Sequence, residues 1–233
     1  MKHPDNQALQ EPREEPPCPL CRSGTIFFLH QLQREYRQCP DCRLIFVPSR
    51  YFLSPEEEKE RYLEHENMLD NTGYVNMFLE KIKIVQSVCR GVHKVLDYGC
   101  GYEPVLQTLL TREGYAAEGY DSFFFPQGNL EPGYDLIIST ETFEHFRQPG
   151  SEIGKLVALL PPAGFLAVMT RFHCGGDNPE ASRENFRNWY YQRDPTHIAF
   201  YSPHTFAWIA KDQGLEIVYN NETDFIILQR PAG

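Results

Sequence analysis

Residues 95–104 read VLDYGCGYEP, and this stretch decides the fold. A short apolar run ends in an acid, Asp97, and two glycines follow at alternate positions, Gly99 and Gly101. Glycine lets a chain turn sharply and lets a ligand approach the backbone closely. The stretch therefore reads as a strand turning into a helix over a binding crevice. Twenty-four residues beyond Asp97, YAAEGYD ends a second strand on Asp121. An acid at that place accepts hydrogen bonds from both hydroxyls of a ribose.

The pattern outward from this point alternates. EPVLQTLLTREG is helical and stops at Gly114, YDLIIST is a strand, SEIGKLVALLPPAG a helix and FLAVMT a strand. SPHTFAWIAKDQG is a helix with Ser202 as N-cap and Gly214 just past its end, and LEIVYN and DFIILQ close the chain as strands. Alternation of this kind predicts an α/β fold, a doubly wound, mostly parallel, Rossmann-like sheet. Ligands in such sheets bind beyond the carboxyl ends of the strands. Only twelve residues separate Asp121 from Tyr134, too few for a further helix and strand, so the third strand of the usual pattern is expected to be missing.

Two ligand classes compete for the crevice. A dinucleotide wants a third glycine and a helix N-terminus facing a pyrophosphate. Here GCGYEP puts Pro104 at the third glycine and Glu103 where phosphates would lie. S-adenosylmethionine (SAM) carries no phosphate, and its ammonium and sulfonium groups favour nearby carboxylates.

Upstream, Cys18, Cys21, Cys39 and Cys42 have the spacing C-x2-C-x17-C-x2-C. Each pair aims two thiolates at one ion from a tight turn, and the linker TIFFLHQLQREYRQ is long and β-prone enough for a hairpin. Four soft thiolates select structural Zn²⁺ and leave no open position for chemistry. The expected layout is a disordered leader over 1–16, a zinc ribbon over 17–50, a helical connector or cap over 51–91, and a SAM-binding domain over 92–233. In the connector, Ser54, Pro55 and Glu57 make a helix start, and a second helix is expected from Tyr74 to Cys89.

VLDYGCG, GYD, YDLIISTETFEHF and LLPPAGFLAVMT together resemble the class I SAM-dependent methyltransferases, over roughly residues 93–230. The cysteine pairs in front and WYYQRDPTHIAFYSPHTF behind are similar to a bacterial subgroup with an N-terminal zinc ribbon, which includes relatives that methylate sugars. The resemblance implies that Asp97, Gly99 and Gly101 lie along the methionine part of SAM. It implies further that Asp121 holds the ribose, and that Thr140 and Glu141 line the floor near the transferred methyl. Glu103 departs from the family's glycine loop. With no acid from a third strand to read the adenine, Phe123, Phe124 or Phe125 is expected to support it.

An acceptor hydroxyl or acidic carbon needs a base, and His145 and His197 are the candidates. His145 is expected at the start of a helix, and His197 in a loop over the sheet's carboxyl edge. Tyr74, Trp189 and Tyr201 are the expected substrate contacts, with His65, Asn67 and Asp70 beside Tyr74. Cys100 reads as a small side chain in a turn, and Cys174 as an exposed thiol.

The net charge of −10 provides no basic footprint, and the first 60 residues hold 8 Lys+Arg against 10 Asp+Glu. A nucleic-acid partner is therefore not expected. No apolar run reaches membrane-spanning length, and the N-terminus lacks the apolar stretch of a signal peptide, so the cytoplasm is expected. The leading reading is an enzyme that methylates a small-molecule or carrier-bound metabolite, on oxygen or carbon. The competing one is a SAM-binding sensor or scaffold whose zinc ribbon contacts a protein or RNA.

Overall fold

The computed structural model describes residues 15–64, 68–127, 130–174 and 178–233. The expected leader falls mostly outside them, and His65 and Asn67 lie outside them entirely.

The main sheet has six strands in the order β5-β4-β6-β7-β10-β9. These are β4 (Lys94–Tyr98), β5 (Ala116–Tyr120), β6 (Leu136–Thr140), β7 (Phe165–Met169), β9 (Glu216–Asn220) and β10 (Phe225–Gln229). β5, β4, β6 and β7 run parallel, and β10 is antiparallel to both its neighbours. Among the described residues nothing pairs outside β5, as the short Asp121–Tyr134 interval predicts. All five residues of both β6 and β7 are buried, as continuous apolar strands covered on two faces require.

Among the described residues, six α-helices accompany these strands: α1 (Pro55–Leu63), α2 (Thr72–Val88), α3 (Val105–Arg112), α4 (Pro149–Leu159), α5 (Pro179–Asn188) and α6 (Pro203–Gln213). Ser54 and Ser202 each close a capping box, and Gly214 ends α6 in the left-handed conformation, φ 64°. Phe78, Ile82 and Val85 of α2 join the core beneath the sheet with Leu106, Leu109 and Leu110 of α3. No helix among the described residues is long and apolar enough to cross a membrane.

The cysteine-rich segment forms a second sheet of four strands, β1 (Ile26–Gln31), β2 (Arg34–Gln38), β3 (Ile45–Phe46) and β8 (Ala199–Phe200). The expected hairpin is β1–β2, and its turn places Leu32 and Gln33 at φ 51° and 60°. Positive φ at both central positions matches the right-handed twist of a hairpin. The fourth strand comes from the far end of the chain, since β8 pairs Ile45 with Phe200 and Phe46 with Ala199. DPTHIAFYS reads as a loop in sequence because two residues show no periodicity; here they close this sheet.

The two parts share one core. Cys18, Leu20, Cys39, Cys42, Leu44 and Phe46 pack in the same cluster as Phe143, Phe146, Ile153, Tyr201 and Phe206. Where α4 begins, Gly150 sits against the loop between the first two cysteines. A Cβ there would lie 2.3 Å from the Leu20 carbonyl oxygen, so only glycine admits this approach.

Candidate functional site

Beyond the carboxyl ends of β4, β5 and β6 opens a cleft of about 980 Å³. That volume is at the upper end for a single small-molecule site, which leaves room for a cofactor and an acceptor together.

At the cofactor end, Asp97, the penultimate residue of β4, is buried. Its Oδ2 accepts from the Gln107 amide at 3.1 Å, while Oδ1 has no partner. Burial pushes its carboxyl up to about 7, and the charge of Asp121 adds to the push. Gly99 and Gly101 follow at φ 84° and 69°. Asp121 accepts from the Gly101 amide at 3.1 Å and from the Phe123 and Phe124 amides at 2.8 and 3.1 Å. One carboxylate thus ties the glycine turn to the segment after β5.

Phe123 and Phe124 line the cleft; Phe125 is exposed and does not. Tyr98 and Tyr120, stacked with centroids 5.1 Å apart, are further aromatic lining that the sequence reading missed. Their adjacent positions at the ends of β4 and β5 could have signalled it. These residues fit SAM. An unpartnered buried carboxylate oxygen suits a cationic amino acid, and exposed aromatic faces suit an adenine.

At the opposite end, β6 delivers Thr140 and Glu141 to the cleft. Glu141 has φ 49°, a strained value for a side chain of its size. His145 does not begin a helix as expected. It ends a 3-10 turn, Phe143–His145, and α4 starts four residues later. The turn sets Glu144 back beside Glu141, and one hydroxyl meets both carboxylates. The Tyr191 hydroxyl donates to Glu144 Oε1 at 2.5 Å and lies 3.2 Å from Glu141 Oε2. Glu144 is fully buried, which pushes its carboxyl above the usual range. Glu141 is crowded and faces the charge of Glu144, which pushes its carboxyl up too, although exposure to the cleft tempers this. Glu144 has no role assigned from sequence; its three-residue offset from Glu141 is the available signal.

His145 and His197 meet here with ring centroids 4.9 Å apart. His145 Nδ1 lies 3.0 Å from the Thr196 carbonyl oxygen, and His197 Nδ1 lies 2.7 Å from that of Tyr191. Carbonyls only accept, so each Nδ1 carries the proton and each Nε2 keeps its lone pair. Burial lowers both pKa values, that of His197 to about 3 with help from His145, so both rings are neutral at pH 7.

The second sheet builds this end of the cleft. The buried guanidinium of Arg34, on β2, donates to the carbonyls of Gln192, Asp194, Pro195 and His197. A planar fork of five donors suits a curled loop. Ile198 N donates to the Glu144 carbonyl at 2.8 Å, which joins β8 to the 3-10 turn. From the other side, Arg61 of α1 pairs with Asp194 at 3.0 Å.

Two expected substrate contacts fall elsewhere. Tyr201 is fully buried, its hydroxyl donating to the Phe143 carbonyl within the shared core. Trp189 packs on Tyr191 and Phe186, at 5.1 and 5.8 Å, outside the cleft. Strand alternation across β8 and the apolar neighbours of α5 take these rings inward. Their neighbours Tyr190 and Tyr191 line the cleft instead, as does Tyr74; Asp70 is exposed and does not.

Asp194 gives a pH signature. Against the upward push of burial, hydrogen bonds from the Thr196 hydroxyl and amide, then His197 and Arg61, hold its carboxyl at about 2. A lowered folded-state pKa contributes stability that is present above the unfolded value near 4 and lost as pH falls toward 2. Urea denaturation of Asp194→Asn should show ~2 kcal/mol less acid loss over that window than the parent protein. Equal acid slopes would remove this assignment.

The four cysteine sulfurs lie within 4.8 Å of one another, with Cys18–Cys42 at 3.6 Å and Cys21–Cys39 at 3.4 Å. Sulfurs about 2.3 Å from a tetrahedral ion stand about 3.8 Å apart, so the set fits one. Both pairs use the same local turn. Arg22 and Arg43, each just past its second cysteine, take φ 68° and 63° and donate back to Cys18 and Cys39.

A family model described as "Methyltransferase domain" matches residues 30–220. No curated protein matches. Among solved structures, an O-methyltransferase family protein from Burkholderia thailandensis is 16% identical, with a TM-score of 0.47, over 76% of this chain and 63% of that one. The chain therefore spans less than two thirds of the Burkholderia protein. The YcgJ protein of Bacillus subtilis is 12% identical, with a TM-score of 0.48, over 68% of this chain and 100% of that one. A SAM-dependent methyltransferase from Methanosarcina mazei is 14% identical, with a TM-score of 0.46, over 64% and 98%.

Proposed function

We propose, for a chain that belongs to the methyltransferase-domain family and is a SAM-dependent methyltransferase, an acceptor that is a small molecule or carrier-bound metabolite, methylated on oxygen or carbon. The observation that carries this reading is the two-ended cleft. Asp97, Gly99, Gly101 and Asp121 form one end, and Glu141, His145, Tyr191 and His197 the other. SAM supplies an activated methyl group. At its end of the cleft, Asp97 and the glycine turn hold the methionine part, and Asp121 holds the ribose with the acceptor capacity its backbone bonds leave free. Phe123 and Phe124 support the adenine.

Transfer joins an acceptor lone pair to the methyl carbon as the carbon–sulfur bond breaks, releasing S-adenosylhomocysteine. The protein contributes alignment and the removal of one acceptor proton. With Nδ1 of both histidines engaged, their Nε2 lone pairs are the groups left to promote that ionisation. The acidic chain and the absence of a basic patch in its first 60 residues favour a small acceptor over a nucleic acid.

The four cysteines hold structural zinc in this reading, because four thiolates leave no position open to a substrate. The ion fixes the sheet that carries Arg34, and Arg34 fixes the loop that carries His197.

Calorimetric titration with SAM and S-adenosylhomocysteine tests the cofactor end. Micromolar binding, weakened at least about tenfold in Asp121→Ala, is expected, since one lost charged hydrogen bond is worth about 1.5–3 kcal/mol. Absence of binding to either ligand would overturn the reading.

A further inference from the structure

We propose that Glu144, His145 and His197 form a second metal site, for a divalent transition-metal ion, at the acceptor end of the cleft and separate from the four cysteines. One ligand atom from each of these residues lies within 4.8 Å of the others, and His145 Nε2 stands 4.0 Å from Glu144 Oε1. Ligands about 2.0–2.2 Å from an ion stand roughly 3–3.5 Å apart, so side-chain rotation of about an ångström closes the set.

Two independent features point to a cation. Both imidazoles are fixed through Nδ1 on backbone carbonyls, the outer-shell arrangement that orients metal-ligating histidines and leaves Nε2 unprotonated. Glu144 is fully buried; its Oε1, the oxygen 4.0 Å from His145 Nε2, already accepts from the Tyr191 hydroxyl, while its Oε2 has no hydrogen-bond partner among the described residues, and burying an unpaired carboxylate oxygen is costly. A bound cation would relieve that cost.

Two imidazoles and one carboxylate suit Zn²⁺, Fe²⁺, Co²⁺ or Ni²⁺ better than Mg²⁺ or Ca²⁺, which prefer oxygen throughout. Three protein ligands leave positions open, in contrast to the closed four-cysteine set. His145 and His197 both line the cleft, so those positions face the acceptor. This role rests on the methyl-transfer reading. An acceptor hydroxyl bound to such an ion would release its proton to water, and the resulting oxygen would take the SAM methyl group as the carbon–sulfur bond breaks and S-adenosylhomocysteine leaves. The binding claim stands apart from that reading.

The test adds Co²⁺ to full-length protein loaded with one equivalent of zinc, enough for the four cysteines alone, and follows calorimetry and visible absorption. The expected result is uptake of one equivalent with weak nitrogen/oxygen-type bands and no thiolate charge-transfer band. Affinity should fall at least 100-fold in both Glu144→Gln and His197→Asn, with circular dichroism confirming that each variant is folded. Should Glu144→Gln fail to fold, His197→Asn decides. No uptake beyond the four-cysteine ion, uptake only with a thiolate band, or unchanged affinity in a folded variant would overturn the proposal. Asp121→Ala, which weakens SAM, should take up Co²⁺ as the parent does. Co²⁺ uptake without SAM binding would therefore sink methyl transfer alone, and SAM binding without Co²⁺ uptake would sink the metal site alone.

Discussion

Cys39→Ser is expected to lower the melting temperature by about 10–20 °C and to abolish zinc retention and acceptor turnover together. Structural zinc contributes about 10–16 kcal/mol at pH 7, comparable to the whole stability of a domain. Even a net loss of ~5 kcal/mol moves a chain of this size by that interval. Turnover follows because the cysteines pack in the core that supports Phe143, the first residue of the turn bearing Glu144 and His145. Removing zinc from the parent protein with a chelator should reproduce the loss. Thermal melts and metal content check it; a zinc-free variant melting within a few degrees of the parent would end the structural-zinc reading.

Gly99→Ala should weaken SAM binding by about 100-fold or more while leaving the four-cysteine ion bound. Two costs combine. At φ 84° an L-residue loses about 1–2 kcal/mol. The added Cβ would also stand 2.2 Å from Thr142 Oγ1, 2.5 Å from its Cγ2 and 2.8 Å from its Cβ. Crowding of this kind costs about 1–3 kcal/mol more. The turn escapes it only by moving away from Thr142, which displaces the glycine amides and the Asp121 carboxylate bonded to Gly101. The double variant Gly99→Ala/Thr142→Gly removes the clash and leaves the backbone cost, so it should recover part of the affinity. Calorimetry on both variants separates the two causes, and parent-like affinity in Gly99→Ala would show that the turn does not hold the cofactor.

The cofactor end was legible in the sequence because its determinants are local. Asp97, Gly99 and Gly101 follow one strand, Asp121 ends the next, and the short interval to Tyr134 announces the missing strand. Helix ends were legible for the same reason, through Ser54, Ser202 and Gly214. The acceptor end depends on contacts between distant residues. Arg34 looks like an ordinary charge on a hairpin, and nothing nearby signals that its partners lie 158 to 163 residues away. Trp189 and Tyr201 failed as substrate contacts because an aromatic run does not reveal which rings turn inward. Tyr191, its interior neighbour, is the ring that bridges Glu141 and Glu144.

The pairing of β3 with β8 also dictates an order of assembly. The cysteines leave the ribosome before β8, and the strand that completes their sheet is made about 150 residues later. Domains form from the N-terminus as the chain emerges, and contacts between remote segments form slowly. The cysteine-rich sheet therefore waits, its β3 edge and thiols uncovered, until residues 199–200 arrive. A ribosome-stalled chain ending before Ala199 should expose alkylatable cysteines, whereas one extended past the end of β10 and clear of the exit tunnel should protect them. In this protein a sheet whose first three strands are made long before its fourth is among the last elements to be finished, and closing it also sets the loop that bears His197.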